Sequence, residues 1–165
     1  MIEFLNSVLR RLEKVALMVS WVGALFVTSL IMLDVSLRFL MNKPLPAAWE
    51  MSELVMPYIV FFALAEALSV GAHVQVTLFT SRMKPSSRRL SESFSAIVCA
   101  AACFIFAYSS WDRFMVSFAI KEEILAAISL PWWLGKLAMP IGLGLMGLRY
   151  LVRSIKPPVF EITKS

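Results

Sequence analysis

The chain has 165 residues, of which 59% are hydrophobic and 16% charged, with sixteen Lys and Arg against eleven Asp and Glu for a formal net charge of +5. Ordinary soluble domains are about 45 to 50% apolar, so this balance excludes a soluble catalytic domain and places the chain in a membrane. Basic residues flanking membrane spans meet anionic headgroups, and the positive charge requires no nucleic acid. A hydrocarbon core about 30 Å thick takes about 20 apolar residues per crossing helix. Four stretches approach that length, and together with short connections they use up the chain. The expectation is one all-α membrane domain over residues 1–165 with four transmembrane helices at about 15–37, 50–70, 91–115 and 132–153.

At the start, Arg10, Arg11 and Lys14 precede an apolar run as in a signal peptide. The run is too long for that role and no small-x-small cleavage site follows, so the segment is read as retained. Ile2, Leu5, Val8, Leu9 and Leu12 fall on one side of a helix, and Glu3, Asn6, Arg10, Glu13 and Lys14 largely on the other. That pattern predicts an amphipathic helix lying on the membrane surface. At the far end of the first span, Asp34 and Arg38 are four residues apart on one helical face.

The stretch NKPLPAAWEMSEL, Asn42 to Leu54, then interrupts the apolar sequence. Pro44 and Pro46 forbid helix continuation, Trp49 suits headgroup level, and Glu50 meets the positive end of the second helix dipole. Glu53 lies on roughly the same face as Glu50. We expect a short outer turn in which Arg38 pairs with Glu50, or shares a network with Asp34 and Glu53. Within the second span, Glu66 is an expensive intramembrane acid and by default a functional candidate. It could serve a proton or cation pathway. Its place near the cytoplasmic end, seven residues before His73, favours solvation or pairing near the interface.

The loop SRMKPSSRRLSES reads as a cytoplasmic turn capping the third helix. In that helix Ser95, Cys99 and Cys103 are spaced by four and offer a small-residue packing face. A metal reading of the cysteines lacks further ligands, and a disulfide needs an oxidising aqueous compartment. Arg113 to Leu130 is too charged to cross and predicts an interfacial helix or helix extension, stopped at Pro131 and anchored by Trp132 and Trp133. The fourth span contains GLGLMG, formally G-x-G-x-x-G at Gly142, Gly144 and Gly147. No strand precedes it, so the dinucleotide reading fails. After the kink-capable Pro140, these glycines are expected to form a smooth packing face.

Basic residues are shared unevenly among the connections. Arg10, Arg11, Lys14, Arg82, Lys84, Arg88, Arg89, Arg149, Arg153, Lys156 and Lys164 lie on one side, against Arg38, Lys43, Arg113, Lys121 and Lys136 on the other. By the positive-inside rule both termini are expected in the cytoplasm. The single histidine, His73, has no evident triad partner and cannot supply a paired-haem site. The chain is therefore read as neither an enzyme nor a cofactor protein.

Arg38, the run Pro44-Leu45-Pro46-Ala47-Ala48 with Glu50 and Glu53, FFALAEALSVGAHVQV with Gly71 and His73, and the later Pro131, Trp132 and Pro140 together carry a resemblance. In order and over nearly the whole chain they resemble the small membrane subunit of tripartite ATP-independent periplasmic (TRAP) transporters. Ala47 stands where that family often has glycine, Ser69 and Val70 where basic residues are common, and Thr77 in place of a usual aspartate. The resemblance implies a non-catalytic subunit in the bacterial inner membrane that scaffolds a large membrane subunit and helps dock a periplasmic binding protein. It implies sodium-driven uptake, by symport in the large subunit, of a carboxylate such as a C4-dicarboxylate, sialic acid or another organic or sugar acid. Alternatives from other classes are an independent oligomeric four-helix transporter using Glu66 or Asp34 as coupling acid, and an accessory subunit of another membrane complex.

Overall fold

A computed structural model describes residues 2–69, 85–124 and 129–155. The described residues form helices α1 (Ile2–Met41), α2 (Ala48–Ser69), α3 (Pro85–Ala119) and α4 (Trp132–Ile155). Between α3 and α4 lies a two-residue antiparallel ladder of β1 (Glu123–Ile124) and β2 (Leu130–Pro131), with Glu123 opposite Pro131 and Ile124 opposite Leu130.

The 40 residues of α1 make a rod about 60 Å long, twice the hydrocarbon thickness. The expected surface-lying N-terminal helix is instead the first part of this rod, because no proline or glycine interrupts the sequence before Gly23. Its faces also differ from expectation. Leu9 and Glu13 are buried, whereas Val8 and Leu12 are exposed. The buried stripe runs Leu9, Glu13, Ala16, Ser20, Val27 and Asp34, a helical spacing set by the neighbouring helices rather than by residue polarity.

Each helix end has a local cause. Asn42 takes a left-handed φ of 54° and donates its N–H to Arg38 O at 3.1 Å, a conformation that asparagine tolerates; Pro44 follows. Ala47 also sits at φ 57°, and its carbonyl accepts the Met51 N–H at 2.9 Å to open α2. Glycine meets no steric cost at such an angle, whereas the Cβ of Ala47 does. At the end of α3, Lys121 has φ 48° and donates to Phe118 O, while Glu122 N–H reaches Ser117 O at 2.9 Å. This is the Schellman pattern. The extension expected beyond Arg113 is thus helical to Ala119 and then turns into the ladder, so no helix runs across Lys121, Glu122 and Glu123.

The four helices pack as a row in the order α1, α2, α4, α3, and α1 meets α4 over a small area. This open layer differs from a closed bundle. Small groups set its contacts. Ser20 Oγ donates to Ile59 O at 2.8 Å, and Gly23 admits Ile59 and Val55. Tyr58 Oη donates to Leu134 O at 2.6 Å. Gly135 and Gly142 let α4 approach the α2 backbone at Leu54 and Phe61, whereas Gly147 admits Cys103 and Phe104 of α3. Among the described residues nothing lies within 4 Å of where a Cβ on Gly144 would stand, so it does not join that packing face. On α3 the packed stripe runs through Ala96, Ala100 and Cys103; Ser95 is exposed and Cys99 half-buried.

Among the described residues, three helices are long and apolar enough to cross a membrane: Asn6–Met41, Ala48–Leu68 and Leu90–Ala119. α4 falls short of that measure, because Lys136, Arg149 and four glycines dilute its apolar residues. In each of the three, 17% of the most apolar stretch is buried within the chain, so the remainder must face lipid or another protein.

Candidate functional site

The charged side chains gather at the two ends of the helices. At the end where α1 meets α2, Asp34 is buried at 8% exposure. One carboxylate oxygen accepts the Leu45 N–H at 2.7 Å, and the other accepts Arg38 Nε at 2.9 Å and Nη2 at 2.8 Å. The first helix therefore caps the turn that follows it. The expected Arg38–Glu50 pair does not form: among the described residues neither Glu50 nor Glu53 has an ion-pair partner. Asp34, one turn away on the same helix, takes the guanidinium first. Pro44 and Pro46 are exposed in the connection, Glu50 is half-buried and Glu53 exposed, and Trp49 is 80% exposed.

This arrangement orders the expected losses. Arg38 is mostly exposed, so its coupling to Asp34 should be about 0.3 to 0.5 kcal/mol. Asp34→Ala should cost about 1 to 3 kcal/mol by also leaving the Leu45 N–H unpaired. A double-mutant cycle on unfolding in micelles checks this, with no coupling expected between Arg38 and Glu50.

At the same end, α4 carries a second cluster. Lys136 Nζ donates to Ser117 Oγ at 2.6 Å and to Glu122 Oε2 at 2.6 Å, joining α4, α3 and the ladder. Trp132 N–H reaches Glu122 O at 2.9 Å, and Ser129 donates to Glu123. Pro131 lies in β2, and Trp133 meets Phe118 edge-on at 5.2 Å. The hydrogen bond from Lys136 holds the Glu122 carboxyl below the usual glutamate range, with Ser117 adding to the effect. A lowered folded-state value stabilises the fold above the ordinary glutamate pKa of about 4.3, and that contribution is lost as pH falls through the lower folded-state value. Fluorescence of Trp132 and Trp133 should accordingly report loosening only at acid pH, and Glu122→Gln should remove that transition.

The opposite end holds a cluster that the sequence did not reveal. Glu13 is fully buried at 0% exposure and Arg149 nearly so at 8%. Arg149 Nε donates to Glu13 Oε1 at 2.7 Å, Nη2 pairs with the other carboxylate oxygen, and Nη1 donates to Asn6 Oδ1 at 2.8 Å. This bidentate fork accounts for the contact between the first and last helices. Asn6 and Glu13, seven residues and about two turns apart, were the available signal. Near this end of α2, one oxygen of Glu66 is buried without a hydrogen-bond partner among the described residues. Gly71 and His73 lie outside the described residues. Pro140 and Gly142 are buried in α4 and Gly144 is half-buried.

Among the described residues no group of three His, Cys, Asp or Glu converges as a metal site. The charges instead hold the helices and their connections together. The fold is that of a helical membrane protein with wide uncovered apolar faces. Residues 27–157 match the DctQ component of tripartite ATP-independent periplasmic transporters, and the chain belongs to that family. A search of curated proteins finds no match. The family match begins beyond Asn6 and Glu13, so one half of the buried Arg149 cluster lies outside it.

Proposed function

We propose that this chain is the non-catalytic scaffold subunit of a sodium-driven carboxylate transporter in the bacterial inner membrane. Its large membrane subunit carries substrate and sodium, and a periplasmic binding protein docks in part on the end bearing Arg38, Lys43 and Trp49. The chain crosses four times with both termini in the cytoplasm, α4 serving as a span because ion pairs offset the charges of Lys136 and Arg149 and its third charge, Arg153, lies in its last turn. Neither cofactor nor metal is required of this subunit. Substrates are C4-dicarboxylates or other organic or sugar acids, including sialic acid.

The observation that carries this reading is the open row. A broad, largely uncovered apolar layer is suited to lie between lipid and a larger membrane protein. Asp34 is already engaged by Leu45 and Arg38, which disfavours it as a coupling acid; Glu66, one oxygen of which has no hydrogen-bond partner among the described residues, is the residue on which an independent transporter would depend. Affinity purification from native membranes tests the choice. A scaffold subunit brings down a much larger polytopic protein in fixed ratio, whereas an independent transporter brings down only copies of itself.

A further inference from the structure

Near its start, α1 presents charge of one sign only. Arg10, Arg11 and Lys14 are all exposed, and among the described residues none of them enters an ion pair. Glu13 is the one acid between Asn6 and Lys14, and its spacing from Arg10 would let the two pair along the helix. The fold withdraws it: Glu13 is fully buried, and Arg149 engages both of its oxygens. A stretch that reads in the sequence as a mixed-charge face therefore exposes three cations and no anion.

An apolar strip runs beside those cations. Successive residues turn by about 100° around a helix, which sets Val8, Leu12, Val15 and Val19 in one narrow sector, and all four are exposed. Arg11, Lys14 and Arg10 fill the adjoining sector, and Leu9, Glu13, Ala16 and Ser20 the buried one. The strip continues through the exposed Val22 and Phe26 into the body of the span. A rod about 60 Å long in a core of about 30 Å, with its apolar surface reaching further on one side than on the other, fits a helix that crosses on a tilt. On that tilt the Val8 side stays against acyl chains, while the long stems of Arg10, Arg11 and Lys14 carry their charges to headgroup level.

The pairing of strip and cations selects the occupant. A soluble acidic segment of another protein would satisfy the charges and leave the continuous apolar strip uncovered, whereas a lipid covers both. A zwitterionic headgroup brings a cation with each phosphate and leaves the three basic residues uncompensated. We propose that Arg10, Arg11 and Lys14 form a binding site for anionic phospholipid, its phosphate at the cations and an acyl chain along Val8, Leu12 and Val15. The site requires that α1 span a membrane, and it holds whether or not the chain scaffolds a transporter.

Ser7 is exposed and falls in the basic sector, so a photo-crosslinking residue there samples the proposed headgroup. The full chain carrying it is placed in vesicles of phosphatidylcholine, phosphatidylethanolamine and phosphatidylglycerol in equal amounts, and the adducts are identified by mass spectrometry. Each basic residue near an anionic surface contributes about a fivefold preference. We expect phosphatidylglycerol adducts to exceed those of either zwitterionic lipid by at least about tenfold. Arg10→Gln/Arg11→Gln/Lys14→Gln, three exposed changes that leave the Glu13–Arg149 pair in place, should bring the three adducts to within about twofold. Equal adducts in the parent chain, or a preference that survives the triple substitution, would overturn the proposal. An adduct to polypeptide in place of lipid would make this turn a protein interface and overturn it as well.

Discussion

Replacing either Glu13 or Arg149 alone by leucine should destabilise the protein by about 3 to 5 kcal/mol, because the remaining partner becomes an unpaired buried charge. Both side chains are nearly inaccessible, and Arg149 spends three donors on Glu13 and Asn6. Neither leucine can supply an acceptor or a donor in return. The Glu13→Leu/Arg149→Leu double variant should recover most of the loss, since an apolar pair of similar volume replaces a buried ion pair with little net cost. Thermal unfolding in micelles measures all three. Additive losses would mean that the two residues act separately. Asn6→Ala should have the smaller effect of one charge-assisted hydrogen bond, about 1.5 to 3 kcal/mol.

The second large effect concerns two glycines that are adjacent in the motif but differ in surroundings. A Cβ on Gly142 would stand 2.6 Å from Phe61 Cβ and 2.8 Å from Phe61 O. The obstruction includes α2 backbone, which cannot rotate away, so α2 and α4 must separate. Gly142→Ala should cost about 1 to 3 kcal/mol, the usual penalty of overpacking, and a larger residue more. Gly144→Ala meets open space and should stabilise the helix by up to about 1 kcal/mol through its better helix propensity. Opposite signs for the two substitutions would confirm that α4 reaches α2 through one glycine and presents the other outward. Equal losses would contradict it.

Sequence reasoning reached the elements whose causes are local. The apolar runs locate the helices, Pro44 and Pro46 mark the outer turn, and the spacing of Asp34 and Arg38 foretells their contact. It missed what depends on distant partners. Arg149 reads in the sequence as a basic residue flanking a span, yet it is buried against a residue 136 positions earlier. Glu13, being charged, reads as part of a solvated face, while α1 buries the stripe that the other helices can reach. The glycines of GLGLMG were expected to share one face, but two residues along a helix turn the side-chain direction by about 200°. α4 also lies between α2 and α3, so Gly142 and Gly147 serve different neighbours. The Arg38–Glu50 expectation paired the right region with the wrong acid, since sequence proximity to the turn does not say which carboxylate the turn's own backbone will recruit.

The scaffold reading is tested most directly by uptake into proteoliposomes. With the large membrane subunit, the binding protein and a sodium gradient, vesicles containing this chain should accumulate carboxylate, and vesicles containing this chain alone should accumulate none. Sodium-dependent uptake by the chain alone would contradict the account.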